Sequence, residues 1–493
     1  MLKHQLLEIF KTFSDHEKKR FGKFLNSAYF NKSPKINKLF FILKRYHPYY
    51  NNRGITKQAI YKKLDYGLAY NDSTIRNLIY DLQELAEKYL RQLNLGEKWV
   101  ETGKYAREEY LRRDLNKLYE INIENSEIKL AKQKLYNSSF FHNKFEVNTD
   151  NFYFHHLYHK VDKENFSKKL APKLNEGMTY FINDFIIQLV KQHIGLLYYN
   201  KMFKLNQKSK LATELPKVID LEKLNALIEG NSVPGSFLTG LYLDLYKTFL
   251  HFDNEKYYKD YKRSLANYSG QISKDEVYFL SMRLIDYCTL KIHTGKKVYE
   301  KELFDIYDLI LKKKYYETDT SNWIPLELFY AIFMHAYKMK KTQWAENFVN
   351  TYKNKLLTKY KIDVPSYFYG ILNFEHGKFA QAATFLNKIN YDDFIYRLDA
   401  YHLQLKTYFE LGKFEQAPII IEEYKLWIAP FQPVPDDIKE KHNKFISYVN
   451  KMVRYKLGKK ALDRYTMRKS MEKNQYVISK DWLLKTLDNI DKK

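Results

Sequence analysis

Two stretches, GKFAQAATFLNKI and GKFEQAPIIIEEY, superimpose with a shift of 35 residues, which brings Gly377, Phe379 and Ala382 onto Gly412, Phe414 and Ala417. Each opens an amphipathic helix, and each follows another, SYFYGILNFEH and AYHLQLKTYFEL. A unit of two helices cannot bury its apolar face alone, so recurrence at this period commits the chain to stacking one helix pair on the next. A third stretch, KTQWAENFVNTY after LFYAIFMHAYKM, puts Trp344 another 35 residues upstream of Phe379. That copy lacks the glycine and has Asn347 at the place of the alanine.

A helix pair of about 34 residues whose second helix opens Gly-x-aromatic-x-x-Ala resembles the tetratricopeptide repeat. Gly370 and Tyr408 fall at its small and aromatic places in the first helices, whereas Pro418 departs from it. The resemblance covers residues 320–430, with degenerate copies upstream in FDNEKYYKDY (252–261) and HTGKKVYEKEL (293–303). It implies an all-α fold: a right-handed α-solenoid of degenerate tetratricopeptide-like pairs following an N-terminal helical domain. It also implies a groove displaying Met339, Tyr367, Phe374, His402, Lys406 and Phe409, suited to an extended or helical peptide with apolar anchors and acidic flanks. The two-lysine carboxylate clamp of chaperone-binding repeats is not evident. KDWLLKTLDNI, with Ser479 as its cap, reads as a terminal helix covering the apolar end of the stack.

The remainder of the chain is also helical in pattern. Gly and Pro are sparse, at 16 and 11 in 493 residues, and no long strict alternation marks a sheet. Apolar spacing predicts a helix over 2–13, after which SDHE supplies a capping box from Ser14 and Glu17. Ser33-Pro34 starts a further helix that stops at His47-Pro48. ITKQAIYKKLDYGLAYNDSTIRNLIYDLQELAEKYL resembles a helix-turn-helix or winged-helix pair, with a first helix to Leu64 and a second from Ser73. In DNA-binding members the second helix enters the major groove, yet Asp81, Glu84 and Glu87 here would face phosphate beside Arg76 and Asn77. Less legible amphipathic segments (105–119, 178–199, 221–228) follow. The expected domains are 1–100, 101–235 and 236–493.

Charge points toward a polyanion without proving one. The net charge is +25, and residues 18–64 contain thirteen Lys or Arg and no acid. Lys18, Lys19, Arg20, Lys23, Lys32, Lys35, Lys38, Lys44 and Arg45 could neutralise phosphates without reading sequence, as could a basic stretch over 451–469. Against this, 69 of the 83 basic residues are Lys, and Arg, the residue for bidentate phosphate and guanine contacts, is scarce. The window's aromatics read as core and its lysines as solvated. A protein or peptide is therefore the expected partner, with nucleic acid as the alternative and a membrane surface third.

Catalytic signatures are weak. FHHLYHKVD spaces His155, His159 and Asp162 along one helical side, but His156 stands where a zinc protease needs Glu. Arg397 and His402 match a spacing of some helical ribonucleases, as chance would produce, and PDDIK (435–439) is half of a metal-nuclease signature. No phosphate loop, nucleophile elbow or dinucleotide fingerprint occurs. No catalytic, cofactor or metal residue is assigned, and a non-enzymatic protein is expected. Lone Cys288 reads as a core residue and suits a reducing cytoplasm. MLKHQLLEIF lacks the uninterrupted apolar run of a secretory signal, and Trp323–Tyr337 is too short to span a bilayer.

Overall fold

The computed structural model describes residues 5–47, 50, 55–64, 67, 69–158, 162–203, 218–230, 233–391, 395–429, 434–474 and 477–491. The fold is all-α: among the described residues there is no strand, and an isolated bridge pairs Tyr136 with Ile272. The chain divides into two compact units, Met1–Pro325 and Leu326–Lys493.

The first unit opens with helices Gln5–Thr12, Asp15–Leu25, Pro34–Lys44 and Lys57–Leu64 packed around the long helix Asp72–Glu97. Their apolar stripes meet in one aromatic core. Phe21 sits edge-on to Phe40 at 5.0 Å and lies 5.2 Å from Tyr89, with Phe10 and Phe13 alongside. The capping box forms as expected: the Ser14 hydroxyl accepts from the Glu17 amide while the Glu17 carboxylate accepts from the Ser14 amide. Pro34 takes the first helical position, where its missing N–H costs nothing.

Successive helices then pack on their neighbours, from Trp99–Arg112 through Asn116–Ala131, Ser138–Tyr158 and Ala171–Phe203 to Phe237–Leu250, Glu255–Tyr268, Lys274–His293 and Val298–Lys313. The 105–119 segment is broken at Asp114, in left-handed backbone with φ 56°. Two buried ionic nodes tie this part together. Arg107, 1% exposed, bonds Asp150 at 2.7 Å and Asn122 at 2.9 Å. Glu276, 4% exposed, accepts from Lys191 at 3.1 Å, the Ser138 amide at 3.1 Å and the Tyr242 hydroxyl, joining four helices. Desolvation of such charges is offset only by this full set of partners.

The second unit contains the recurrent pairs. Leu326–Lys338 with Thr342–Tyr352, Asp363–Glu375 with Phe379–Leu386, and Arg397–Glu410 with Ala417–Trp427 pack each helix on its successor. The hairpin turns are superimposable. At Gly377 (φ 70°) and Gly412 (φ 68°) the chain turns left-handed, and the next amide, Lys378 or Lys413, donates back to the carbonyl five residues earlier, at 2.8 and 3.0 Å. Phe379 then lies edge-on to Phe374 at 5.2 Å, and Phe414 edge-on to Phe409 at 5.1 Å, while Ala382 and Ala417 are both fully buried. Pro418 is accommodated because it falls in the first turn of its helix.

The third copy requires a correction. Its turn residue is Lys340 (φ 59°), with Lys341 donating to Ala336 at 3.0 Å. The copies therefore match with a shift of 37, not 35. Ala345, fully buried, occupies the alanine place, and Trp344 does not occupy the aromatic place. The upstream segments are also hairpin turns: Asn254 caps Glu255–Tyr268, and Gly295 (φ 89°) precedes Val298–Lys313 with Lys296 donating to Lys291.

Candidate functional site

Of the six residues expected to line a groove, three are buried and three half-buried. Tyr367 (4% exposed) and Phe374 (9%) are core side chains because Asp363–Glu375 is enclosed by its neighbours, and Phe409 (0%) is a core side chain of Arg397–Glu410. Met339 is half-buried beside the Lys340 turn. His402, Lys406 and Phe409 do share one side of Arg397–Glu410, and that side is covered by the terminal helix Lys480–Asp488. Trp482 lies edge-on to Phe409 at 5.8 Å, and its indole N–H donates to Glu410 Oε1 at 2.8 Å. The Lys406 ammonium is held between the Phe374 ring at 4.6 Å and the Trp482 ring at 5.6 Å, a cation–π cage.

This cage has electrostatic consequences. Burial pulls the Lys406 ammonium below its ordinary value, with Glu375 and Glu410 pulling the other way. Burial, then Lys406 and His442, holds the His402 imidazole well below the usual histidine range, so the ring is neutral. Its Nε2 is hydrogen-bonded to the Ser479 hydroxyl at 2.8 Å, and its face meets Phe445 at 4.0 Å. Ser479 therefore does not cap the terminal helix with its side chain; it sits in left-handed backbone and is turned toward His402. Leu483, Leu487 and Ile490 complete the cluster with Phe445, Met452 and Met471.

Sequence reading missed Asp399. This carboxylate lies in the first turn of Arg397–Glu410, where the helix dipole favours it, yet burial pushes it up to about 6. It acts on the hydroxyls of Tyr330, Tyr367 and Tyr424, which it helps hold in their neutral form, although burial is the larger cause for each. No local spacing signals it, since those tyrosines come from three other helices.

Arg397 stacks its guanidinium on Trp427 at 3.9 Å while His402 is sealed under Ser479, so the two do not converge on a substrate. Asp436 and Asp437 open the helix Asp436–Lys456, and Asp437 is held low by Lys441, a helix-start arrangement. His159 lies outside the described residues. No group of three or more metal-ligating side chains occurs among the described residues. Cys288 is fully buried, and burial pushes its thiol up to about 12, which removes the thiolate a nucleophile needs. In front of it, Tyr258, Lys259, Lys262, Arg263 and Glu302 line a pocket of about 560 Å³. Lys262 and the Tyr258 hydroxyl both bond Glu302 at 2.7 Å, so the pocket's carboxylate is already occupied by its own lining.

The basic window divides. Lys18 is a buried side chain, 6% exposed, paired with Asp15 at 2.6 Å and bonded to His47 Nδ1 at 2.8 Å; it is withdrawn from any polyanion surface. Lys38 is exposed but donates to the Leu64 carbonyl at 3.1 Å, and Lys44 is half-buried. Lys19, Arg20, Lys23, Lys32, Lys35 and Arg45 are exposed. On Asp72–Glu97, which begins at an Asn71 cap rather than at Ser73, Arg76 pairs with Asp72 at 3.0 Å, and Asp81, Glu84 and Glu87 are exposed.

No protein-family model matches the chain, and comparisons with curated proteins and with solved structures find no match. No helix among the described residues is long and apolar enough to cross a membrane.

Proposed function

We propose that the chain is a non-enzymatic cytoplasmic scaffold that binds protein partners through a tetratricopeptide-like helical solenoid. The observation that carries this reading is the equivalence of the turns at Gly377 and Gly412, with the same left-handed residue, the same back-bond and the same aromatic pair. Recurrent pairs of this kind act by presenting side chains from consecutive first helices to one ligand. Here the terminal helix occupies that side of Arg397–Glu410, so a helical ligand with an aromatic anchor is the chemistry the surface is built to receive. A partner of this kind replaces Trp482 on Phe409 and Lys406. The test is affinity capture by the full chain and by Trp482→Ala, each checked for native helicity. Partners that change in amount between the two support the reading, and identical partners in identical amounts count against it.

The exposed group Lys19, Arg20, Lys23, Lys32 and Arg45 supports a second reading, association with nucleic acid through phosphate contacts. It is weaker because the neighbouring long helix exposes carboxylates.

A further inference from the structure

Helix Ala171–Phe203 is amphipathic in an unusual sense. One side is buried in the first unit through Tyr180, Ile186, Ile187, Val190 and Ile194. The opposite side is exposed at Leu174, Met178, Phe181, Phe185, Gln188, Gln192, Leu196, Tyr199 and Phe203. These positions advance by three or four residues at each step, so they form one straight line along the helix. In a chain that is 29% charged, no exposed residue from Leu174 to Asn200 carries a charge. A face this long, apolar and uncharged is not an ordinary solvated face.

The order of side chains along the line indicates what covers it. Gln188 and Gln192 lie two residues either side of Val190, and Phe181 and Tyr199 lie nine either side. Phe185 balances Leu196, and Met178 balances Phe203, each to within one residue. The line therefore reads nearly the same in both directions. That symmetry is what an antiparallel two-fold pairing demands, since residue i must fit j while j fits i. Two such helices would set glutamine against glutamine at the axis, where each amide can both donate and accept, and apolar against apolar outward. Opposed helix dipoles add to the preference for this direction.

The surface is large enough. Its seven apolar side chains are between 38% and 61% exposed. At roughly 200 Å² per side chain they offer on the order of 700 Å² per copy, close to the ~800 Å² per partner of a standard interface. Beside Met178, a pocket of about 230 Å³ lined by Phe145, Leu174, Gly177 and Phe181 opens where the second copy's Phe203 would arrive. A lipid surface fits less well: the only exposed basic residue on this helix is Lys201, and the half-buried flanks mix Glu176 with Lys191.

We infer that this face is a self-association surface, and that the chain forms an antiparallel two-fold dimer through Ala171–Phe203 centred near Val190. The inference is independent of the scaffold reading. Sedimentation velocity of the full chain over a micromolar concentration series should show a monomer–dimer equilibrium. Phe185→Asp with Leu196→Asp should abolish the dimer while the circular dichroism spectrum stays unchanged. If that variant does not fold, the milder Gln188→Lys with Gln192→Lys should do the same. Geometry is read by mixing Gln188→Cys protein with Gln192→Cys protein and adding a short bis-maleimide; fully buried Cys288 leaves a low background. Cross-linking of the mixture in preference to either protein alone is expected. Three results would overturn the inference. One is a monomer at every concentration. Another is preferential Gln188→Cys self-linking. The last is a monomer that co-sediments with phosphatidylcholine–phosphatidylserine vesicles and loses them on Phe185→Asp/Leu196→Asp substitution, which makes lipid the occupant.

Discussion

Trp482 donates its indole N–H to Glu410 across a separation of 72 residues, and in doing so sets its ring on Phe409 and Lys406. Removing the ring takes away a hydrogen bond to a charged acceptor, half of a cation–π cage and an aromatic contact together. Trp482→Ala should cost about 2–3 kcal/mol in the second unit, below the ~3–5 kcal/mol of a fully buried large aromatic because the ring is only partly buried. Hydrogen exchange checks it: amides over 480–490 should lose protection first, and unchanged protection there would show that Leu483 and Leu487 hold the helix alone.

Gly370 and Gly377 should respond to alanine for different reasons. A Cβ on Gly370 would lie 2.8 Å from Leu386 Cδ2 and 3.0 Å from its Cγ, against a side chain that is itself fully buried. Gly370→Ala is therefore expected to destabilise by about 1–3 kcal/mol, reversing the ~1 kcal/mol gain that helix propensity alone would give. At Gly377 nothing lies within 4 Å, but φ is 70°, so Gly377→Ala should cost about 1–2 kcal/mol through backbone strain. Thermal melts of both variants decide the matter, and a more stable Gly370→Ala would mean that the two helices are not in tight contact.

The pH dependence of the second unit should carry the signature of Asp399. Its folded value of about 6 lies above the ordinary 3.8, so between those values the folded chain holds the proton more tightly than the unfolded one. Stability therefore falls as pH rises from about 4 to 6 and stays low above that. Asp399→Asn should flatten this window and stabilise the unit at neutral pH, on the order of 2–3 kcal/mol. Denaturant titrations at acid and neutral pH would show it, and an Asn variant less stable at neutral pH would mean that the ionised carboxylate has a partner strong enough to retain.

Arg107, buried, and Asp150, half-buried, form a pair whose two members behave unequally when one is lost. Burial raises the Asp150 carboxyl, with Arg107 opposing that shift. Arg107→Ala strands the carboxylate and should destabilise the first unit by about 3–5 kcal/mol. Arg107→Met paired with Asp150→Leu should recover most of the loss, and chemical denaturation of the two variants is the measurement.

Lysine-rich helices at the start of the chain should bind polyanions only through their exposed members. Charge reversal at Lys19, Arg20 and Lys23 is expected to shorten heparin retention and flatten its salt dependence. Lys18→Gln should leave retention unchanged while loosening the helix Asp15–Leu25 from the turn that follows Pro34–Lys44, since that buried ammonium bonds His47 Nδ1 at 2.8 Å. Equal loss of retention from both would place Lys18 at the surface.

Features governed by a few neighbouring residues were readable in the sequence. The Ser14–Glu17 box, Pro34 at a helix start and the glycines at 377 and 412 follow from local backbone chemistry and stand where spacing puts them. Where a lysine performs a glycine's task the pattern misleads: Lys340 adopts the left-handed turn, nothing in its side chain announces this, and an alignment on Trp344 falls two residues out of step. The burial of Phe374 and Phe409 is not legible for another reason. Periodicity shows that Phe374 and Phe409 face inward, but only long-range packing decides whether inward means an open channel or the underside of a helix about 70 residues further along. Asp399 was invisible on the same ground.

Because Leu483, Leu487 and Ile490 close a core that begins at Tyr401, the second unit cannot finish folding before residues 480–490 have been made. Until residues 480–490 leave the ribosome, Phe409, Phe445 and Met452 lack their cover. A nascent chain stalled upstream of Lys480 would offer that apolar face to holdase chaperones, and emergence of residues 480–490 is the event that withdraws it.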